Sequence, residues 1–217
     1  MTAALSADVA ALLDRATATC RLWPEQDEGP YRRDHHPVRR DVTEDRIGVP
    51  LTLGLALATA DGTSLADGIV EIWHCDADGR YSGFPPPSAG DVPTAATATR
   101  TEYLAAQTFL RGSQPTDRDG RVEFRTIYPG WYPGRTVHIH VIARTRDATF
   151  TSQLYFPEPV TDDVFARPPY SRRPARDTTN TTDEIFPTGG KPALLDIDQG
   201  GTGYLGAIAL RLPEAAR

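Results

Sequence analysis

Residues 128–140 read Tyr128-Pro-Gly-Trp-Tyr132-Pro-Gly-Arg135-Thr-Val-His138-Ile-His140, a turn-rich segment that leads directly into a strand-like one. Residues 136–142 are mostly β-branched, which favours an extended strand. Side chains alternate between the two faces of a strand, so His138 and His140 are expected on one face and the residue between them on the other. Two imidazoles placed side by side can bind one metal ion.

The two Pro-Gly pairs before this strand predict a loop that brings the phenol of Tyr132 back toward the imidazoles. Taken alone, a His-x-His pattern is more often a half-exposed polar face of a strand than a metal site. The loop favours the metal site, because a tyrosine held between Pro-Gly pairs is costly to arrange for packing alone. If Tyr132 binds as a phenolate, its hard anionic oxygen favours Fe(III) over Zn(II) or Cu(I).

The composition is that of a globular protein. The chain has 217 residues, of which 39% are hydrophobic and 24% charged, so we expect one domain spanning residues 1–217. The formal net charge of −6 and the lack of a basic stripe argue against a nucleic-acid binder. No apolar stretch reaches the roughly 20 residues of a membrane span, and no signal peptide is recognisable, so we expect no membrane partner. Cys20 and Cys75 form no CxxC motif; two thiols fit a cytoplasmic protein, with a single disulfide as the alternative.

Three regions of different character follow one another along the chain. Ser6 is the expected N-cap of a short helix within residues 1–20. Gly29 and Pro30 make residues 21–48 an irregular arm, which either lies over the domain or is a surface linker. Residues 49–212 alternate between short strands and turns. The pattern therefore predicts an all-β fold, a β-sandwich with a short N-terminal helix and long wrapping loops.

The strand signals are clearest at the two ends of this region. Leu51, Leu53, Leu55 and Leu57 alternate with small or polar residues, as in a half-buried strand. Residues 84–99 are predicted to be an exposed excursion, and residues 157–190 to wrap the surface. The other predicted strands are 69–74, a hairpin formed by 109–111 and 121–127, 151–156 and 203–211.

Five segments resemble the intradiol ring-cleavage dioxygenases, the family of catechol, protocatechuate and hydroxyquinol dioxygenases. Each segment alone would be weak, but their combination and order are highly specific, and they cover most of the chain between residue 20 and about residue 158. The segments are PEQDEGPY at 24–31, GVPLTL at 48–53, VEIWHCDADGRYSGF at 70–84, FLRGSQPTDRDGRVEFRTIYPGWYPGRTVHIH at 109–140 and TSQLYFPE at 151–158.

The resemblance implies one mononuclear non-haem Fe(III) ion held by Tyr81, Tyr132, His138 and His140. It makes Tyr132 and His140 the axial pair, with Tyr81 and His138 equatorial. Tyr81 is identified by the resemblance alone, since a tyrosine in a turn would otherwise be taken as an ordinary exposed residue.

The resemblance also implies roles around the iron for three further residues. Arg135 would face the substrate ring and stabilise developing negative charge, Gln153 would assist near the iron, and Tyr31 would overhang the substrate pocket. Arg135 lies three residues before His138, an odd offset that would place it on the opposite side of a regular strand. Gly134 is expected to break that regularity.

Some positions depart from the family pattern or lie outside it. Arg32 stands where many relatives carry a second aromatic residue, and residues 159–199 match the family poorly. His74 follows a strand but is not used by the family pattern, so we expect it to be structural. His35 and His36 lie in a charged run and are expected to be solvated.

The implied activity is cleavage of a catechol-type ring between its two hydroxyl-bearing carbons with O2, giving a cis,cis-muconate-type product. The substrate class stays open among catechol, protocatechuate, hydroxyquinol and a specialised catechol. Two alternatives are a modified oxidation at the same ferric site in natural-product biosynthesis and a non-catalytic β-sandwich binding module. A homo-oligomer is possible, and no organic cofactor is required.

Overall fold

The computed structural model describes residues 4–34, 36–85 and 106–214. These residues form two sheets and few helices. The helices are α1 (Ala7–Thr17) and α2 (Glu158–Phe165), with 3₁₀ turns at Tyr170–Arg172 and Phe186–Thr188. The strands are β1 (Arg21–Leu22), β2 (Pro50–Ala58), β3 (Ile69–Trp73), β4 (Arg111–Pro115), β5 (Arg121–Ile127), β6 (His138–Arg144), β7 (Thr149–Tyr155), β8 (Asp196–Gly200) and β9 (Gly203–Arg211).

The first sheet has the order β1-β9-β2-β5, with β8 also paired to β9, and the second has the order β4-β3-β6-β7. β9 pairs parallel with β2, whereas all pairs of the second sheet are antiparallel. One hydrophobic cluster draws on the buried faces of both sheets, including Leu53 and Phe124 from the first and Ile72, Val141 and Leu154 from the second. Burial of this shared cluster is the main source of stability.

The first sheet is covered by α1 on its other face. Val9 and Leu13 of the helix pack with Ala56 and Ala207 of the sheet, and a Cβ at Gly54 would lie 2.5 Å from Val9 Cγ1. Small residues on β2 and β9 thus make room for the helix. The expectation of a half-buried β2 is therefore wrong, because Gly54 and Ala56, between its leucines, are buried under α1.

Helix α1 begins after Ser6, as predicted, but Ser6 does not form the hydrogen bond expected of an N-cap. Ser6 precedes the helix, yet it makes no side-chain cap and donates its hydroxyl to Glu123 Oε2 at 2.8 Å. This contact attaches the helix to β5 rather than satisfying its first amides.

Residues 37–42 of the arm cover one edge of both sheets. The main chain of Ser113 in β4 exchanges hydrogen bonds of 2.9 and 3.0 Å with residues 37 and 39. The main chain of Arg125 in β5 exchanges hydrogen bonds of 2.8 and 3.0 Å with residues 40 and 42. The arm thus protects edges that would otherwise be open, and of its two alternatives this part of the arm lies over the sheets.

The predicted hairpin within residues 109–127 is wrong. The turn itself is present, since Gly120 N donates to Asp117 O at 3.0 Å. However, β4 pairs with β3 in the second sheet, and β5 pairs with β2 in the first. A turn signal specifies a reversal of the chain but not the hydrogen-bonding partner of the strand that follows.

The segment 157–190 is more regular than predicted. It contains α2, whose Thr161 and Val164 are buried, and a proline at the second helical position is compatible with the first turn of a helix. β8 follows this segment and was also not predicted. Apart from residues 84 and 85, the predicted excursion at 84–99 lies outside the described residues, as does His35.

Both cysteines are free: Cys20 is exposed and Cys75 is buried. In the part of the chain that the structure describes, no helix is long and apolar enough to cross a membrane.

Candidate metal centre

β6 carries His138 and His140 on the face of the second sheet that is turned away from the shared core. Ile139 and Val141 belong to that core, so the alternation of the strand directs both imidazoles to the other side, as predicted. Trp73 of β3 is the direct neighbour of His140, and the two rings stack with centroids 4.8 Å apart and planes 2° apart. The sheet therefore holds one of the two imidazoles against a rigid aromatic surface.

The two imidazoles converge on one point. Their Nε2 atoms are 3.1 Å apart, and the Nδ1 atom of His138 lies 2.7 Å from the carbonyl oxygen of Thr136. Because that oxygen can only accept, Nδ1 carries the proton and Nε2 presents its lone pair. Such a contact orients an imidazole in the manner of a metal-binding histidine.

Tyr132 is returned to the imidazoles by the loop that the sequence predicted. An isolated bridge joins Tyr132 to Arg135, and Gly134 between them has a φ of 82°, a conformation that glycine adopts readily. The hydroxyl of Tyr132 lies 3.2 Å from His138 Nε2. Tyr132 is partly exposed, whereas Tyr81, His138 and His140 are buried. It therefore lies on the solvent side of the group.

Tyr81 is delivered by a tight turn after β3. The carboxylate of Asp76 accepts hydrogen bonds from the amides of Asp78 and Arg80, at 3.0 and 2.9 Å. The ring of Tyr81 lies 5.7 Å from that of Tyr132, between centroids, and its buried hydroxyl makes no hydrogen bond with a described residue.

Burial dominates the electrostatics of all four groups. It lowers the pKa of His138 to about 3, with a further contribution from the positive charge of Arg135, and it holds the pKa of His140 well below its ordinary value. Burial also raises the pKa of Tyr81 and of Tyr132 above that of a free phenol. The imidazoles are therefore neutral near pH 7, and ionisation of the phenols needs a nearby cation.

The donors fit a metal ion on three grounds. The unpaired buried hydroxyl of Tyr81 is costly without a further partner. The separations of 3.1 and 3.2 Å match the spacing of about 3 Å for ligands at right angles, each about 2.1 Å from one ion. Phenolate oxygen with imidazole nitrogen suits ferric iron. Among the described residues, no group of three or more His, Cys, Asp or Glu could hold a metal, so a metal centre depends on the tyrosines.

Arg135 and Gln153 are joined beside these donors. Gln153 faces His140 across the β6–β7 pair, and its Oε1 atom accepts from Arg135 Nη2 at 2.6 Å. Arg135 Nε donates to Asp183 Oδ2 at 2.9 Å. Burial raises the pKa of Asp183, but the bonds from Arg135 and the main chain outweigh it and hold that pKa below its usual value. Sequence reasoning missed Asp183, which no motif in its segment singles out.

Tyr31 covers the two tyrosines from the side of the arm. Its ring stacks on Tyr81 with centroids 4.3 Å apart and planes 12° apart, and its edge approaches Tyr132 at 5.8 Å. A Cβ at Gly29 would lie 3.1 Å from His140 Cε1, so the arm passes close over the imidazole. The Nε atom of Arg32, the next residue but one after Pro30, lies 3.3 Å from Glu28 Oε2.

The remaining described histidines lie outside the group. Both ring nitrogens of His74 are engaged, by the carbonyl oxygen of Cys75 at 2.8 Å and by Thr126 Oγ1 at 2.7 Å, which agrees with a structural role. The expectation of a solvated His36 is wrong, because its side chain is 0% exposed and its ring meets Trp73 edge-on. Folding of the arm onto the second sheet buries it, and a charged neighbourhood in sequence does not reveal that packing.

Comparisons with known proteins show which family this chain resembles. A family model described as "Dioxygenase" matches residues 24–179. An intradiol ring-cleavage dioxygenase from Tetranychus urticae is 31% identical in structural alignment, with 91% of this chain and 97% of that chain covered and a TM-score of 0.79. The dioxygenase domain of a carbohydrate-binding fusion from Streptomyces sp. SirexAA-E is 30% identical, with 89% and 99% covered and a TM-score of 0.65.

Curated sequences match a smaller part of the chain. A chlorocatechol 1,2-dioxygenase from Cupriavidus pinatubonensis is 27% identical over 155 residues, which cover 59% of this chain and 52% of that protein. The chain thus spans about half the length of the curated relatives it matches first.

Proposed function

This chain belongs to the intradiol ring-cleavage dioxygenase family, and from that premise we propose that it is a non-haem Fe(III) dioxygenase acting on a catechol-type substrate. The ring would be cleaved between its two hydroxyl-bearing carbons with both atoms of O2, giving a cis,cis-muconate-type product. The observation that carries the proposal is the convergence of three donors, since His138 Nε2 lies 3.2 Å from the hydroxyl of Tyr132 and 3.1 Å from His140 Nε2, with the unpaired hydroxyl of Tyr81 beside them. The relatives named chlorocatechol and catechol 1,2-dioxygenase support the substrate class.

Tyr81, Tyr132, His138 and His140 would hold the iron. When bound, ferric iron supplies Lewis acidity toward both catechol oxygens and makes the ring reactive toward O2. Burial of Tyr81, His138 and His140 keeps water away from these ligands, which strengthens every electrostatic interaction within the site.

Tyr132 is the ligand suited to leave when substrate binds. It is the member of the group that is partly exposed, and it sits on a turn rather than on a strand. Burial raises the pKa of its phenol, so the released Oη atom readily accepts a proton from a substrate hydroxyl. Tyr132 would thus act as both ligand and general base.

Arg135 supplies a fixed positive charge beside the donors. Its Nε and Nη2 atoms are held by Asp183 and Gln153, and its side chain is 16% exposed. A cation fixed before the reaction stabilises negative charge as it develops on the ring and oxygen atoms. Tyr31 would bound the substrate pocket on the side of the arm.

We also infer that the two sheets form a β-sandwich and that residues 1–217 make up one domain. The support is the single hydrophobic cluster to which both sheets contribute.

The test combines metal analysis with oxygen uptake. Protein expressed with iron should contain one iron per chain and have a visible band from tyrosinate-to-iron charge transfer. Catechol, protocatechuate and hydroxyquinol should be compared with the 1,4-dihydroxy isomer as a control, and ¹⁸O2 should label the ring-opened product at both new oxygens. Zinc, or no metal and no band, would refute the ferric site. Products with an intact ring would favour the biosynthetic oxidation, and catechol binding without oxygen uptake would favour a binding module.

A further inference from the structure

The carboxylate of Asp183 is held entirely inside the protein and has four hydrogen bonds. Its side chain is 0% exposed. Oδ2 accepts from Arg135 Nε at 2.9 Å and from the amide of Thr136 at 2.8 Å. Oδ1 accepts from the amides of Ile185 and Phe186, both at 2.8 Å. A buried carboxylate with every acceptor position used has one orientation, and so does the guanidinium it binds.

The guanidinium of Arg135 is held by two side chains. Nε donates to Asp183 and Nη2 donates to Gln153, and 16% of the side chain stays exposed. Gln153 is itself fixed, because its Nε2 atom donates to the main chain of Asp27 at 2.8 Å and its Oε1 atom also accepts from Tyr155 at 3.1 Å. Arg135 is therefore held from two directions.

We propose that Asp183 is a positioning residue for the reaction, acting through Arg135 to fix the orientation of the guanidinium beside the metal donors. The proposal rests on the proposed function in that the reaction is the one in which Arg135 stabilises charge. Asp183 does not touch the substrate. Because the same carboxylate binds the amide of Thr136, it also sets Arg135 relative to the start of the strand that carries His138.

Asp183→Asn keeps the size of the side chain but removes its charge and one of the two acceptor oxygens. We expect kcat to fall by about 10- to 100-fold, as for other groups that orient a functional residue, with KM for catechol changed by less than about threefold. Iron content and the visible band should stay as in the parent. The matched control is Asn180→Ala, in the same segment. Asn180 accepts from Thr136 Oγ1 at 2.8 Å but does not contact Arg135, so kcat should change little.

A double-mutant cycle separates positioning from structural damage. In an Arg135→Leu background, Asp183→Asn should change kcat by less than about twofold, because the residue through which it acts is gone. An equal loss in both backgrounds would mean that Asp183 acts through the fold and would overturn the proposal.

Crystal structures of the iron-loaded parent and the Asp183→Asn variant provide a readout that does not depend on turnover. The guanidinium of Arg135 should occupy one position in the parent and be displaced or disordered in the variant, with Tyr132 and His138 unmoved. A guanidinium unchanged in the variant would overturn the proposal. If the parent cleaves no catechol, the proposed function fails, while this comparison still decides whether Asp183 positions Arg135.

Discussion

The loops that carry the two tyrosines touch each other at Gly79, and Gly79→Ala should separate them. Gly79 lies two residues before Tyr81 and has a φ of 81°. A Cβ at this position would lie 2.2 Å from the carbonyl oxygen of Trp131, the residue before Tyr132. The added methyl group therefore pushes directly on the main chain of the other tyrosine loop.

The magnitude follows from two separate costs. A left-handed conformation costs a residue with a side chain about 1–2 kcal/mol. Gly62, with a φ of 90° and nothing within 4 Å of an added Cβ, pays only this cost and is the matched control. At Gly79 the oxygen must also move by about 1 Å to reach van der Waals contact, and such overpacking adds about 1–3 kcal/mol. Gly79→Ala should thus lower the free energy of unfolding by about 2–5 kcal/mol and Gly62→Ala by about 1–2 kcal/mol.

The two variants should also differ in iron binding. Denaturant titration of the iron-free proteins measures the free energy of unfolding, and competition with a chelator measures the affinity for Fe(III). Gly79→Ala should weaken iron binding, because the displacement changes the position of Tyr81 relative to Tyr132. Gly62→Ala should bind iron like the parent. Equal destabilisation of the two variants, or unchanged iron affinity in Gly79→Ala, would refute the reasoning.

Three further predictions concern single side chains. Arg135→Leu should keep its iron and its affinity for catechol but lose about 2–4 kcal/mol of transition-state stabilisation, measured by steady-state kinetics. Normal turnover combined with weak binding of catechol would contradict this. Tyr132→Phe should retain some iron but bind catechol much more slowly, as measured by stopped-flow absorbance. His138→Ala should lose more iron than Tyr132→Phe, as measured by metal analysis. Turnover of Tyr132→Phe at the rate of the parent would exclude the base role. Burial, helped by the positive charges of Arg111 and other arginines, lowers the pKa of His36 to about 3, so the unfolded chain takes up a proton below about pH 6.5 that the folded protein does not. The free energy of unfolding therefore decreases as the pH falls. In denaturant titrations, His36→Gln should make the decrease between pH 7 and pH 5 smaller by about 2 kcal/mol. An equal decrease in the parent and the variant would mean that His36 is not buried and neutral.

The geometry of the candidate site was predictable where it depends on local rules. The period of a strand placed His138 and His140 together, and the Pro-Gly turns returned Tyr132 to them. Gly134 does free Arg135 from the strand, because β6 begins only at His138 and the preceding turn has a positive φ. The roles of these residues at a metal ion stay predictions.

Features that depend on distant packing were not predictable in the same way. The turn at residues 117–120 is local, but which sheet receives β4 and β5 depends on strands tens of residues away. His36 is buried by the docking of the arm, and nothing near it in sequence indicates this. Asp183 lies in a Thr-rich segment, and its role depends on a partner 48 residues earlier in the chain.

The division of the site between sheet and loops has a consequence for how it is kept intact. The neutral imidazoles stand on a paired strand whose position is set by the core, so we expect them to stay in place with or without a ligand. Both phenols come from loops, and their separation depends on the contact between residues 79 and 131 and on Arg173, whose Nη1 atom donates to the carbonyl oxygens of Ala77 at 3.2 Å and Trp131 at 2.7 Å. Substitutions at this loop contact should therefore displace the two phenols more than the two imidazoles. The tyrosine ligands are thus the part of the site whose positions are most sensitive to changes outside it.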